Sequence, residues 1–179
     1  VTAAISVCKV DDAALEFGDK LPIVGCGFTT GYGTVKKSGL QAGESIAIIG
    51  LGGVGLAGVL AAAKIGAKKI IAIDVNPEKF ALAKKLGATD CINPKDFDKP
   101  IQQVIIEMTE GWGVDYAVEC VGNVELMKAS LEMVIKGWGK AIIVGVATGK
   151  TIDGVKSFYY VSGRSMTGAA YGNVKPSEL

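Results

Sequence analysis

The chain has 179 residues, 49% hydrophobic and 21% charged, with 19 lysines and arginines against 18 acids for a net charge of +1. That length buries one substantial core and leaves no room for a second full domain beside a six-stranded α/β sheet. The balanced, scattered charge offers nothing to nucleic acid or an anionic membrane, and the absence of histidine removes the commonest general base, the commonest metal ligand and every Ser-His or Cys-His nucleophile.

Residues Val1 to Val10 alternate loosely, as a strand does, and Asp11-Asp12-Ala13-Ala14-Leu15-Glu16 reads as a short capped helix. Cys26 to Lys37 has helical period and many small residues, with Gly39 as its stop. Ser45 to Ile49 is a β-branched run, followed by Gly50-Leu51-Gly52-Gly53-Val54-Gly55, an Ala-rich helix, and a second strand from Ile70 to Asp74. From Ser45 to Ala63 there is no charge, which also admits a membrane span; four glycines where a strand should stop, and an equally apolar next strand, favour a strand and a helix.

Pro77 to Leu86 is an amphipathic helix with Phe80, Leu82, Ala83 and Leu86 inward, closed by Gly87. Thr89 to Ile92 is a short strand. Asp98-Lys99-Pro100 opens a helix through Met108 that buries Ile101, Val104, Ile105 and Met108. Val114 to Val121 is a fourth strand, Val124 to Ile135 a helix, Ala141 to Val146 a fifth strand and Ser165 to Tyr171 a sixth. Thr148 to Gly163 is weakly patterned; its Phe158 to Val161 reads as a surface helix or strand forming an interface, or as a loop over the sheet. Strands alternating with helices of about ten residues predict a doubly wound, parallel, six-stranded sheet of Rossmann type in a single domain.

The G-x-G-x-x-G after the first strand carries chemistry. Gly50 permits a tight turn, Gly52 lets backbone approach a pyrophosphate, and Gly55 allows the helix to lie close on the strand. The helix N-terminus turns unsatisfied N–H groups toward the phosphates. Asp74, about twenty residues on, accepts from both adenosine ribose hydroxyls and repels a 2′-phosphate, so the unit selects NAD over NADP. Asp74 could instead cap a helix, but Asn76-Pro77-Glu78 already supplies a cap, a first-turn proline and a first-turn acid. The remaining turns facing the cleft are Asp74 to Lys79, Cys120 to Asn123, Val144 to Ala147 and Ala169 to Gly172.

Four cysteines, Cys8, Cys26, Cys91 and Cys120, stand far apart without a C-x-x-C pair, the pattern of reduced thiols in an intracellular protein. No signal peptide is recognisable, and a cytoplasmic location is expected. Read by itself, a lone cysteine among glycines such as Cys26 is a small buried apolar residue.

Six segments together carry a resemblance. Gly25-Cys26-Gly27-Phe28-Thr29-Thr30-Gly31-Tyr32-Gly33, the Gly50 to Leu56 turn, Ile73-Asp74-Val75-Asn76-Pro77-Glu78-Lys79-Phe80, Gly87 to Pro94, Val114 to Gly122 and Lys136-Gly137-Trp138-Gly139 resemble the zinc-containing medium-chain alcohol dehydrogenases. The likeness is to the branch holding glutathione-dependent formaldehyde dehydrogenases and liver alcohol dehydrogenases, and covers only their coenzyme-binding half. It implies an NAD(H)-binding domain at 41–179, preceded at 1–40 by a leader that is a remnant of the catalytic domain plus a connecting helix. It implies that Gly53 and Val54 donate to the pyrophosphate, that Asp74 and Lys79 hold the adenosine ribose, and that Val121 packs near the adenine. Val144, Gly145 and Val146 would line the nicotinamide side, backbone at Ala169 and Tyr171 would bind its carboxamide, and Thr30 would press on its ring. Cys26 would be a ligand of the catalytic zinc in a complete enzyme.

The departures matter. Such a zinc site takes two cysteines and a histidine, and one cysteine matches. Zinc is therefore not expected in this chain, and neither is the family's histidine-ending proton relay. Trp112 is an extra residue between two glycines, and the loop around Lys37-Ser38-Gly39 is one residue short. The expectation is an oxidoreductase fragment that binds NAD but cannot by itself pass hydride between an alcohol and the coenzyme. Its rivals are a non-catalytic self-association module of the same fold and a zinc-free reductase using Tyr32 or Lys37 as proton donor. A homodimer through Ser157 to Tyr171 is expected, with no nucleic-acid or membrane partner.

Overall fold

The computed structural model describes Lys9 and residues 11–175; apart from Lys9, the strand expected over Val1 to Val10 lies outside the described residues. Six parallel strands form one sheet: β1 Ser45–Ile49, β2 Lys69–Ile73, β3 Asp90–Ile92, β4 Tyr116–Glu119, β5 Lys140–Ile143 and β6 Ser165–Gly168. Their spatial order is β3-β2-β1-β4-β5-β6, the doubly wound arrangement the alternating pattern predicted. Order reverses between β1 and β4, so the carboxyl ends of those two strands flank a crevice.

The helices are α1 Leu21–Ile23, α2 Thr29–Lys36, α3 Gly53–Ile65, α4 Phe80–Lys85, α5 Ile101–Met108, α6 Val124–Met133 and α7 Ser157–Val161. In β1, Ile46 and Ile48 pack with Val35 of α2 and Val59 and Ala62 of α3. The alternate residues Ala47 and Ile49 pack with Ile101 and Ile105 of α5 and Met133 of α6. Both faces of the strand are covered, which is why β1 and β2 are buried after their first residue and read as unbroken apolar runs. The uncharged stretch beginning at Ser45 is thus a strand followed by a helix of 13 residues. Among the described residues no helix is long and apolar enough to cross a membrane.

Several boundaries move. The helix expected from Cys26 begins earlier, at Leu21, and passes through a π-helical turn, Val24–Phe28, before α2. Thr29 donates its hydroxyl to the Val24 carbonyl, five residues back. The expected sixth strand ends at Gly168, not Tyr171. Tyr171, Gly172 and Asn173 follow with φ of 48°, 71° and 54°, a left-handed run incompatible with a strand. The fourth strand is confined to Tyr116–Glu119, with Val114 bridging Val134 on its own. The weakly patterned 148–163 region contains the short surface helix α7, whose Phe158, Tyr160 and Val161 are exposed.

Candidate nucleotide-binding site

The crevice begins where β1 ends. Gly50 has φ 92°, and its N–H donates to the Ile73 carbonyl of β2 at 2.8 Å, so the chain turns sharply while still tied to the sheet. A Cβ on Gly50 would come 2.7 Å from Val121 Cγ2 across the crevice. Gly52 is the N-cap of α3 in extended conformation and no side chain caps it; a Cβ there would meet open space. Gly55 sits in the first turn of α3, where a Cβ would overlap the Gly50 carbonyl. The three glycines thus serve a turn, an open approach and a close packing respectively.

Asp74, buried just past β2, clamps this turn. Its Oδ2 accepts from Leu51 N–H at 2.7 Å and from Lys79 Nζ at 2.9 Å, and its Oδ1 from Asn76 N–H at 2.9 Å. Burial pushes this carboxyl up, but the bonds from Leu51, Lys79 and Asn76 outweigh it and hold Asp74 below the ordinary carboxylate value. The following single helical turn is capped by Asn76, whose Oδ1 accepts from Glu78 N–H at 3.0 Å. The helix-cap alternative for Asp74 therefore does not hold.

Gly50, Gly52, Asp74, Lys79 and Val121 border one cavity of about 420 Å³, whose apolar walls include Ile49, Pro94 and Leu126. Its volume and lining match small-molecule sites generally. Gly53, Val54 and Gly55 form the adjoining first turn of α3. The other expected residues lie outside this cavity. Val144 to Val146 follow β5, with Val146 exposed. Ala169 follows β6, and the turn at exposed Tyr171 lies over buried Thr30: a Cβ on the next residue, Gly172, would come 2.9 Å from the Thr30 carbonyl. Of the rival proton donors, Tyr32 is half-buried and stacked on Phe28 with ring centroids 5.2 Å apart, and neither it nor Lys37 borders the cavity.

Cys26 corrects the reading of a buried apolar residue: it lies in the π turn and is exposed, because small neighbours do not determine what covers a residue. The described residues do not fit a catalytic zinc. No three histidine, cysteine, aspartate or glutamate side chains converge among them, and the thiol of half-buried Cys120 is pushed up to about 12 by desolvation and the neighbouring Glu119. Any zinc would need ligands from outside the described residues.

One residue escaped the sequence reading. Glu119, the last of β4, is fully buried, and its Oε1 accepts from the N–H groups of Val121, Gly122 and Asn123 at 3.0, 2.8 and 3.3 Å. A single acid closing the apolar run Tyr116-Ala117-Val118 was the available signal.

Comparison with known proteins bears on this site. A family described as zinc-binding dehydrogenase matches residues 53–179. The chain is 51% identical over 176 residues to an S-(hydroxymethyl)glutathione dehydrogenase of Synechocystis sp., covering 98% of this chain and 47% of that protein. It is 49% identical over 177 residues to the protein of the same name from Photobacterium damsela subsp. piscicida, again covering 98% and 47%. The chain therefore spans about half the length of the curated relatives it matches. Among solved structures, benzyl alcohol dehydrogenase from Acinetobacter calcoaceticus superposes with a TM-score of 0.85 at 31% identity, over 97% of this chain and 46% of that one.

Proposed function

The chain belongs to the zinc-binding dehydrogenase family, and from that membership we propose that it binds NAD(H) as the coenzyme-holding part of an alcohol dehydrogenase of the S-(hydroxymethyl)glutathione dehydrogenase kind. One observation carries the reading: the glycine turn that opens α3 and the Asp74 carboxylate border the same cavity, at the point where strand order reverses. The names of its relatives support the same conclusion. Residues 41–179 are then the coenzyme-binding unit, and residues 1–40 a remnant of the catalytic domain with a connecting helix.

In this reading Gly53 and Val54 at the start of α3 donate to the pyrophosphate, and Asp74, with Lys79 beside it, holds the adenosine ribose against Val121. Thr30, Val144, Gly145, Val146 and the backbone of Ala169 and Tyr171 flank the nicotinamide. When bound, NAD would supply the ring that takes up or gives back hydride in the complete enzyme. In this reading the chain's own residues bind and orient the coenzyme.

Titration with NADH tests the proposal. Coenzyme at a hundred times its Kd stabilises by about 2.7 kcal/mol, which raises Tm by roughly 5 to 10 °C for a chain of this size. NADPH should stabilise less, because its 2′-phosphate meets the Asp74 charge. No heat and no thermal shift with millimolar NADH would remove the coenzyme reading and leave the rival self-association module.

We also propose a homodimer through the free edge of β6. Among the described residues β6 is an edge strand whose Ser165, Thr167 and Gly168 are exposed, and Phe158, Tyr160 and Val161 of the preceding α7 present exposed apolar surface; an open edge and exposed apolar residues favour self-pairing. Light scattering should give twice the 18.4 kDa chain mass. The pair Phe158→Glu and Val161→Glu should return it to the monomer, and an unaltered mass would refute this interface.

A further inference from the structure

Among the described residues, the buried side-chain polar atoms without a hydrogen-bond partner are Thr34 Oγ1 and Glu119 Oε2. A buried carboxylate with an unpaired oxygen is costly to keep, and Glu119 is completely enclosed. Its surroundings indicate what the cost secures.

Glu119 holds two turns at once. Its Oε1 gathers the successive N–H groups of Val121, Gly122 and Asn123, drawing the turn after β4 into a cup around one oxygen. Its main-chain carbonyl accepts from Val144 and Gly145 at 2.9 and 3.0 Å, fixing the start of the turn after β5. The unpaired Oε2 lies between the two: a Cβ on Gly145 would stand 2.6 Å from it and would overlap the Gly122 nitrogen. Reciprocally, a Cβ on Gly122 would overlap the Val146 carbonyl. The turns meet backbone to backbone, with this side chain wedged beneath.

They also face different parts of the crevice. Val121 borders the cavity shared by Gly50 and Asp74, whereas Val144, Gly145 and Val146 lie outside it, on the side assigned above to the nicotinamide. We propose that Glu119 is a positioning residue that keeps the adenosine-side and nicotinamide-side walls of the crevice in fixed register, so that an intact dinucleotide meets both at once. This inference rests on the NAD(H) reading and adds a role for a residue that touches no ligand. A ligand that reaches only the turn after β4 can follow that turn if it shifts; one spanning both walls must restore their alignment as it binds, and its affinity falls.

The test compares NADH with AMP on the 179-residue chain and on Glu119→Gln. The amide keeps the volume and one acceptor oxygen, but loses the charge-assisted bonds of the cup and sets a donor where Oε2 now faces Gly145. The expected result is a Kd for NADH raised about tenfold, equivalent to about 1.4 kcal/mol, with that for AMP shifted less than about threefold by the same scale. The fluorescence of bound NADH should also move toward that of the free coenzyme. Equal losses for both ligands, or an unchanged Kd for NADH, would overturn the inference. Failure of the unaltered chain to bind NADH would instead remove the coenzyme reading itself. If Glu119→Gln does not fold, Glu119→Asp, which keeps the charge but withdraws it by one methylene, takes its place under the same criteria. If neither folds, Glu119 serves the fold alone and the inference fails.

Discussion

Gly55→Ala should destabilise the chain by about 3 kcal/mol, lower Tm by roughly 10 °C and abolish NADH binding. The added methyl would overlap the Gly50 carbonyl, and that carbonyl has nowhere to go. Gly50 is held at φ 92° with its N–H bonded to Ile73, and Ile48 Cγ2 stands 3.5 Å from the new carbon on another side. Relief requires moving α3 off the sheet, which breaks the contacts of Val59 and Ala62 with β1. Gly52→Ala is the control. Nothing lies within 4 Å of its would-be Cβ and no positive φ is needed there, so stability should change by no more than about 0.5 kcal/mol, while in the proposed complex the methyl would take space used by the pyrophosphate and should weaken NADH. Thermal unfolding with and without NADH separates these outcomes; a Gly55→Ala protein as stable as its parent would contradict the packing described here.

Asp74→Asn should weaken NADH about a hundredfold, since charge-assisted hydrogen bonds contribute about 1.5 to 3 kcal/mol each and the carboxylate faces two ribose hydroxyls in the proposed complex. Preference for NADH over NADPH should narrow as the repulsive charge disappears, read from the ratio of their Kd values. The substitution also has a folding consequence with a defined pH dependence. Burial opposes the charge of Asp74, but bonds from Leu51, Lys79 and Asn76 prevail and its carboxyl sits below the ordinary value of 3.8. A depressed carboxyl contributes stability that is fully present above the unfolded value and is lost as pH falls through the folded one. The parent's advantage over Asp74→Asn in denaturant unfolding should therefore be complete at pH 7 and shrink progressively below about pH 4. A gap that widened in acid would refute the bonding scheme at this carboxylate.

The centre of the fold was legible because its signals are local. A β-branched run, three glycines at fixed spacing and an acid at the end of the next run each act within a few residues, and together they specify β1, α3, β2 and Asp74. Legibility faded where the outcome depends on distant partners. Cys26 reads as buried from its neighbours, yet the π turn of Val24–Phe28 leaves it exposed, and nothing in that local sequence reports the change of helical register. Gly172 and Asn173 favour a left-handed backbone, but Tyr171 and the residues just after Gly168 carry no such signal, so the early end of β6 was not visible. Glu119 was visible as an acid closing an apolar strand, but its partners belong to the turns after β4 and β5, and the latter turn lies more than twenty residues away.

The turn at 171–173 lies directly on α2. A Cβ on Gly33 would come 2.7 Å from Val174 Cγ2 and 2.9 Å from the Gly172 carbonyl, so the segment leading into β1 and the segment leaving β6 meet at this point. Any side chain at Gly33 would wedge these two segments apart, so the helix before the first strand and the turn after the last cannot be repacked independently.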